Sequence, residues 1–328
     1  MLDAEGECYL EMAIHQGKYT QSMVLDIQYV KSAMTKSGKR RKKINNSILN
    51  KFFTKDNFSR LARGDYSTYT AVVEQCIDSP ENKDNGKIVS EIYEIMSKLY
   101  RNEYIYQNTL LNKLLLEKHN LSNVAALTQL PICKSKADFV LINGKAVVYE
   151  IKTELDTFNR LDTQLRDYFK AFSYVCAVTS ETQYDRAADI LKDTPVGIYA
   201  LTSNNTISMK KRKESIEDTS KLNHTAIFKV LRKRERENIL LKYFGDLPDS
   251  PQAFYFGECL KLFSEIPIKI VYMMALEQLK KRNQIKASQI EKTPYELKSL
   301  AYFSKLSKKD WQAIKKFMSQ KYEENKND

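Results

Sequence analysis

The chain has 328 residues, 42% hydrophobic and 29% charged, with only seven prolines and nine glycines. That composition reads as soluble and globular, argues against a long disordered linker and suffices for a sizeable core in one or two domains. A net charge of +12 and a pI of about 9.2 favour a polyanionic partner, either nucleic acid or an anionic membrane surface.

The five cysteines (Cys8, Cys76, Cys133, Cys176, Cys259) are scattered and form no C-x-x-C pair, which argues against a zinc ribbon. MLDAEGECYL carries no basic or apolar leader pattern. No run reaches the roughly 18 apolar residues of a spanning helix. The expectation is a cytoplasmic chain with reduced thiols and no membrane contact.

Residues 1–86 read as a helical N-terminal region. INNSILNKFF places Ile44, Ile48, Leu49 and Phe52 on one helical face, after the basic run KSGKRRKK (36–43). That run is either a phosphate contact, a localisation signal or a solvated loop. PENKDNG (80–86) is a boundary loop rich in turn formers. Residues 87–119 predict one or two helices, with Ile88, Ile92, Ile95 and Leu99 as one stripe and Ile105, Leu110, Leu114 and Leu115 continuing it. Next, KADFVLINGKAVVYEIKTELD (136–156) reads as two strands joined at Asn143-Gly144. Asp156 or Thr157 caps a helix carrying Leu161, Leu165, Tyr168 and Phe172. YVCAVTS (174–180) and PVGIYALT (195–202) are apolar strands around a helix at 181–193. Apolar strands alternating with helices predict an α/β sheet covered on its faces. From 203 the chain turns polar and basic, and 222–328 reads as helices, with Trp311, Ile314, Phe317 and Met318 at helical spacing.

The hairpin carries charges where a core strand should carry none: Asp138, Glu150 and Lys152. Glu150 and Lys152 are two apart, so they share a face. Where Asp138 points depends on the turn. A two-residue turn at Asn143-Gly144 sets it opposite Tyr149 and away from Glu150. A three-residue loop, Ile142-Asn143-Gly144 with Gly144 left-handed, sets it opposite Val148 and on the face of Glu150. That second arrangement, or an equivalent irregularity near Asp138, builds a site. Two neighbouring carboxylates repel, and a divalent cation removes the repulsion. Asp138, Glu150 and the Ile151 carbonyl suit Mg²⁺ or Mn²⁺. Lys152 then stands ready to orient a nucleophile or balance phosphoryl charge. The alternative is a buried ion pair of Lys152 with Glu150 or Asp138, which is costly to bury. Glu-x-Lys alone says little, since it begins at Glu81, Glu150, Glu296 and Glu324. Only the Glu150 copy lies in an apolar strand behind a partner strand with an Asp.

The set Asp138, Glu150-Ile151-Lys152, Gln164 and Tyr168 resembles the PD-(D/E)XK, or restriction-endonuclease-like, nuclease superfamily. Residues 137–180 are similar to a bacterial and phage group within it that carries a D…EIK…D…RL..Q…Y pattern. The resemblance covers about residues 87–202. It implies an α-β-β-β-α-β core, a mixed sheet flanked by helices, with helical extensions at both ends. It implies catalysis by Asp138, Glu150, Lys152 and Gln164, and metal binding by Asp138, Glu150, the Ile151 carbonyl and a glutamate on the first core helix. For that glutamate Glu103 is the choice, ahead of Glu94 and Glu91, with Glu117 too near the helix end. It places Gln164 and Tyr168 near the active site and the nucleic-acid backbone, with Tyr168 packed in the core of an amphipathic helix as the alternative. Asp156 and Arg160 match the related pattern too, Arg160 either contacting phosphate or pairing with Asp156. Two departures stand out: Ala137 replaces the proline of the name, and Gln129 occupies a place where closer relatives carry an acid.

The implied activity is a Mg²⁺- or Mn²⁺-dependent nuclease, on DNA first, in defence against phage or mobile elements or in DNA processing. The alternative is a nucleic-acid-binding module on the same fold with a weak or lost site. KKRK (210–213) and RKRER (232–236) supply candidate phosphate contacts at Lys210, Lys211, Arg212, Arg232 and Lys233. A homodimer or a partner protein is compatible with this reading. The histidines His15, His119 and His224 are far apart, and no HExxH, P-loop or G-x-S-x-G pattern occurs. The domains read as 1–86, 87–202 (the core) and 203–328 (a basic helical C-terminal region).

Overall fold

The computed structural model describes residues 46–117, 124–282 and 290–322. The basic run at 36–43, Ile44, Cys8, His15 and His119 lie outside the described residues. Helices α1 (Asn46–Phe52), α2 (Lys55–Leu61), α3 (Ser67–Cys76), α4 (Asn85–Leu99) and α5 (Glu103–Leu110) come first. A π-helical turn, Leu111–Leu116, continues α5. Strands β1 (Ala125–Ile132), β2 (Ser135–Asn143) and β3 (Lys145–Ile151) follow, then α6 (Leu161–Phe169), β4 (Tyr174–Ser180), α7 (Tyr184–Ile190), β5 (Gly197–Leu201) and β6 (Ile207–Lys213). The remainder is helical: α8 (His224–Val230), α9 (Lys233–Phe244), α10 (Gln252–Glu265), α11 (Ile268–Lys280), α12 (Lys298–Phe303) and α13 (Lys308–Ser319).

Contacts divide the chain at Tyr100/Arg101 and Ser307/Lys308. One unit joins residues up to 100 with those from 308 on; the other spans 101–307. The first is helical, and its core is aromatic: Phe52, Phe58, Tyr69 and Phe317 are buried together. Asn85, fully buried, ties it up. It accepts from the Tyr69 hydroxyl at 2.6 Å and donates to the Phe317 carbonyl at 3.0 Å. The expected faces hold in part. Leu49, Phe52, Ile88 and Ile92 are buried, but Leu99 is exposed and Met96 takes the inner place.

The second unit is an α/β domain on one six-stranded mixed sheet, in the order β1-β2-β3-β4-β5-β6. β1, β2 and β3 form an antiparallel meander. β3, β4 and β5 are parallel, joined through α6 and α7, as parallel neighbours require. β6 returns antiparallel along β5. This strand corrects the expectation that 203–221 is only a polar connection. Pro131, which has no N–H to give, sits on the edge strand β1. One sheet face carries Val140, Val148, Val175, Ala177 and Ile198, packed with Leu161, Leu165 and Tyr168 of α6. The other carries Phe139, Tyr149 and Tyr199, ring against ring, with Phe303 of α12 on Phe139 at 6.0 Å. No helix among the described residues is long and apolar enough to cross a membrane.

The hairpin register differs from both arrangements expected from sequence. Phe139 opposes Tyr149, Val140 opposes Val148, and Ile142 opposes Ala146 across Asn143-Gly144-Lys145. Gly144 does adopt the left-handed conformation, at φ +70°. One step beyond the last pair, Asp138 therefore comes opposite Glu150 rather than Val148. Shared facing survives because the register moves by two residues, and strand facing repeats every two. A second correction concerns the start of α6. Its N-cap is Arg160. Asp156 instead accepts from the Thr153 N–H at 2.9 Å and from the Thr153 hydroxyl at 2.8 Å.

Candidate active site

The charges gather at the C-terminal end of β3, on the face covered by α6. The Ile151 N–H, past the last β2 pair, donates to Asp138 Oδ2 at 2.9 Å. Asp138 thus replaces a main-chain acceptor where the two strands part. A residue in a strand turns its N–H and its carbonyl to the same side, so the Ile151 carbonyl faces the β2 side as well.

Glu150 is 1% exposed and Lys152 8%. Lys152 Nζ donates to Glu150 Oε1 at 2.8 Å and to Gln164 Oε1 at 2.9 Å. The Tyr168 hydroxyl lies 2.5 Å from Glu150 Oε2 and 2.9 Å from the Lys136 carbonyl oxygen. Gln164 and Tyr168 do share a helix face, and that face grips the Lys152–Glu150 pair. Tyr168 is fully buried. Its ring packs in the core while its hydroxyl reaches the site glutamate.

Burial, then the charge of Glu150, then that of Glu103, push the Asp138 carboxyl up to about 8, against the pull of the Ile151 N–H and Lys152. Glu103 is also raised, first by the surrounding protein and then by Glu150 and Asp156. Its Oε1 accepts from Gln107 Nε2 at 2.5 Å and Gln129 Nε2 at 2.8 Å. Gln129 stands between the pairs Thr128–Phe139 and Leu130–Ala137, level with Asp138, at φ +52°. A left-handed glutamine costs on the order of 1–3 kcal/mol, and such outliers cluster at functional sites.

The donor set fits a hard divalent cation. Two carboxylates and a main-chain carbonyl offer oxygen only, and the crowding that raises Asp138 is what a cation relieves. Among the described residues, no group of three or more His, Cys, Asp or Glu side chains is placed to hold a metal ion. Glu103 thus adds its charge to the surroundings of Asp138 without completing a three-carboxylate cage.

The basic candidates lie on other elements and are mostly engaged within the protein. On β6, Lys211 Nζ bonds Asp185 Oδ2 at 3.0 Å and the Glu181 carbonyl at 2.9 Å. Arg212 holds Glu214 and lies 4.4 Å from the Tyr199 ring centroid. Lys210 is exposed. On α9, Lys233 sits 5.0 Å from the Tyr255 ring centroid, and the Arg232 N–H donates to Glu235. Arg160 is exposed, and Asp156 turns to Thr153 rather than to it.

Sequence reasoning missed a half-buried neighbour of this site. Arg101, just before α5, pairs with Glu154, two residues after Lys152, and the Tyr106 hydroxyl donates to Glu154 Oε2 at 3.0 Å. No local pattern announces a pair 53 residues apart.

Compared with known families, residues 96–303 match the family described as Bacteriophage P4 protein cII. The chain belongs to the phage P4 cII family. The match contains the whole sheet of this cII-family chain and every residue of the candidate site. Protein cII of Enterobacteria phage P4 is 29% identical over 136 residues, covering 39% of this chain. The chain spans about half, 49%, of the length of that relative. No solved structure matches.

Proposed function

We propose that this cII-family chain is a divalent-metal-dependent nuclease that hydrolyses phosphodiester bonds, with DNA as its first substrate class. The observation that carries the reading is the meeting of Asp138 with the Glu150–Lys152 pair at the end of β3. Buried charge of this kind is expensive and rarely needed for stability. Strand order and direction support the restriction-endonuclease-like reading: an antiparallel meander, one helix, then a strand parallel to the third.

Asp138, Glu150 and the Ile151 carbonyl would hold Mg²⁺ or Mn²⁺. When bound, the ion supplies Lewis-acid stabilisation of charge on the phosphoryl oxygens. Lys152, fixed between Glu150 and Gln164, presents a preorganised positive charge where negative charge develops. Tyr168 keeps Glu150 in place from beneath. The second reading, a nucleic-acid-binding module with a weak site, draws on the absence of a three-carboxylate group among the described residues.

The test is cleavage of plasmid, linear duplex, single-stranded DNA and RNA with Mg²⁺ or Mn²⁺. Wild type is compared with Asp138→Asn and Lys152→Ala, each checked for folding by circular dichroism. Cleavage lost in both folded variants is the expected result. Cleavage that survives both moves the chemistry elsewhere. DNA binding without cleavage by wild type favours the binding module.

A further inference from the structure

We propose that Arg101 and Glu154 are positioning residues that fix the start of α5 against the end of β3, and so set Glu103 relative to Glu150 and Lys152; this rests on the nuclease reading above. Arg101 stands two residues before Glu103, and Glu154 two residues after Lys152. The ion pair is largely enclosed, at 12% and 24% side-chain exposure. The carboxylate and the main-chain carbonyl of Glu154 are both held. Arg101 and the Tyr106 hydroxyl hold its carboxylate. The Gln183 side-chain amide donates to its main-chain carbonyl at 3.1 Å.

Arg101 in turn donates to the Thr202 carbonyl at 2.5 Å, just past the end of β5, and its guanidinium lies 5.6 Å from the Tyr106 ring centroid. Four separate pieces of the second unit therefore meet through Arg101 and Glu154: the start of α5, the segment after β3, the β4–α7 turn and the end of β5. Gln183 leaves its own amide oxygen buried without a protein partner to make its contact. A mostly buried ion pair gains little net stability over apolar packing, because desolvation offsets the attraction. What it does supply is a directional tie, and this one joins the segment that carries Glu103 to the one that carries Glu150 and Lys152.

Positioning predicts a specific signature. Manganese affinity is measured by titration calorimetry on the full chain for wild type, Glu154→Gln, Glu103→Gln and the double variant, with melting followed in parallel. Tyr106→Phe, which removes one hydrogen bond and keeps the ring, is the mild variant should Glu154→Gln unfold. Glu154→Gln weakens Mn²⁺ binding by about tenfold, the usual scale for an outer partner, by shifting the Glu103 charge that acts on Asp138. In the Glu103→Gln background the same change adds almost nothing, because there is no longer a Glu103 to place. In cleavage it lowers kcat and leaves KM for DNA in place.

A role confined to stability gives the opposite result: lower melting, unchanged Mn²⁺ affinity, or effects that multiply in the double variant. Unchanged Mn²⁺ affinity, whatever the melting, or multiplying effects overturn the proposal while leaving the nuclease reading standing. Wild-type protein that takes up no Mn²⁺ overturns both.

Discussion

The end of β3 and the strand β6 carry charge in the same sheet and treat it in opposite ways. At β3 the charges are inside. Glu150 is nearly inaccessible, Lys152 stands beside it, and Asp138 opposes them, so that an acid is held far above its ordinary range. On β6 the charges are outside and quiet. Lys211 reaches Asp185, Arg212 reaches Glu214, and Lys213 caps the turn after α7 through the Leu191 and Thr194 carbonyls. In sequence KKRK is the louder signal and Glu-Ile-Lys the fainter one. The proposed function follows the energy held in an arrangement rather than the amount of charge, and of the two regions the β3 end holds more.

The sharpest way to break this comparison is to delete one lysine from each. Lys152→Ala strands a buried carboxylate, and removing one partner of a buried pair costs about 3–5 kcal/mol. Lys211→Ala breaks a pair whose acid, Asp185, is exposed, worth at most about 1 kcal/mol. Urea unfolding in chelator measures both, and similar losses would erase the distinction.

The next effect is a pH slope. Asp138 titrates near 8 when folded and near 3.9 when unfolded, so the folded chain holds an extra proton between those values. By linkage, stability of the metal-free protein falls as pH rises from about 4 to about 8. Asp138→Asn flattens that slope, and divalent metal, by favouring the ionised form, flattens it too. Unfolding curves at several pH values check this.

The smallest effect belongs to Lys210, exposed on β6. Lys210→Ala leaves stability within about 0.5 kcal/mol. If the strand faces phosphate, the salt dependence of DNA binding drops by roughly one ion. An unchanged slope takes β6 out of the nucleic-acid surface.

Much of this layout was legible in the sequence. β4 and β5 stand out because fully buried parallel strands are continuous apolar runs. The shared facing of Asp138 and Glu150 was legible as a possibility, but the exact register was not, since Asn-Gly admits several loops around a left-handed glycine. β6 hid behind its lysines: an edge strand needs only one partner and tolerates charge on its open side. The helical face of Gln164 and Tyr168 was readable from spacing. What it grips was not, because spacing gives a direction and no distance. Arg101 and Glu154 were invisible for a plainer reason: only the folded sheet brings them together.

Gln129 carries one more consequence. Glycine adopts its left-handed backbone at no steric cost, so Gln129→Gly relieves strain there. The same change cuts the amide tie to Glu103. Screening this protein for heat resistance would therefore tend to reward the variant that lets go of the glutamate, and sturdiness and competence would pull this one position in opposite directions.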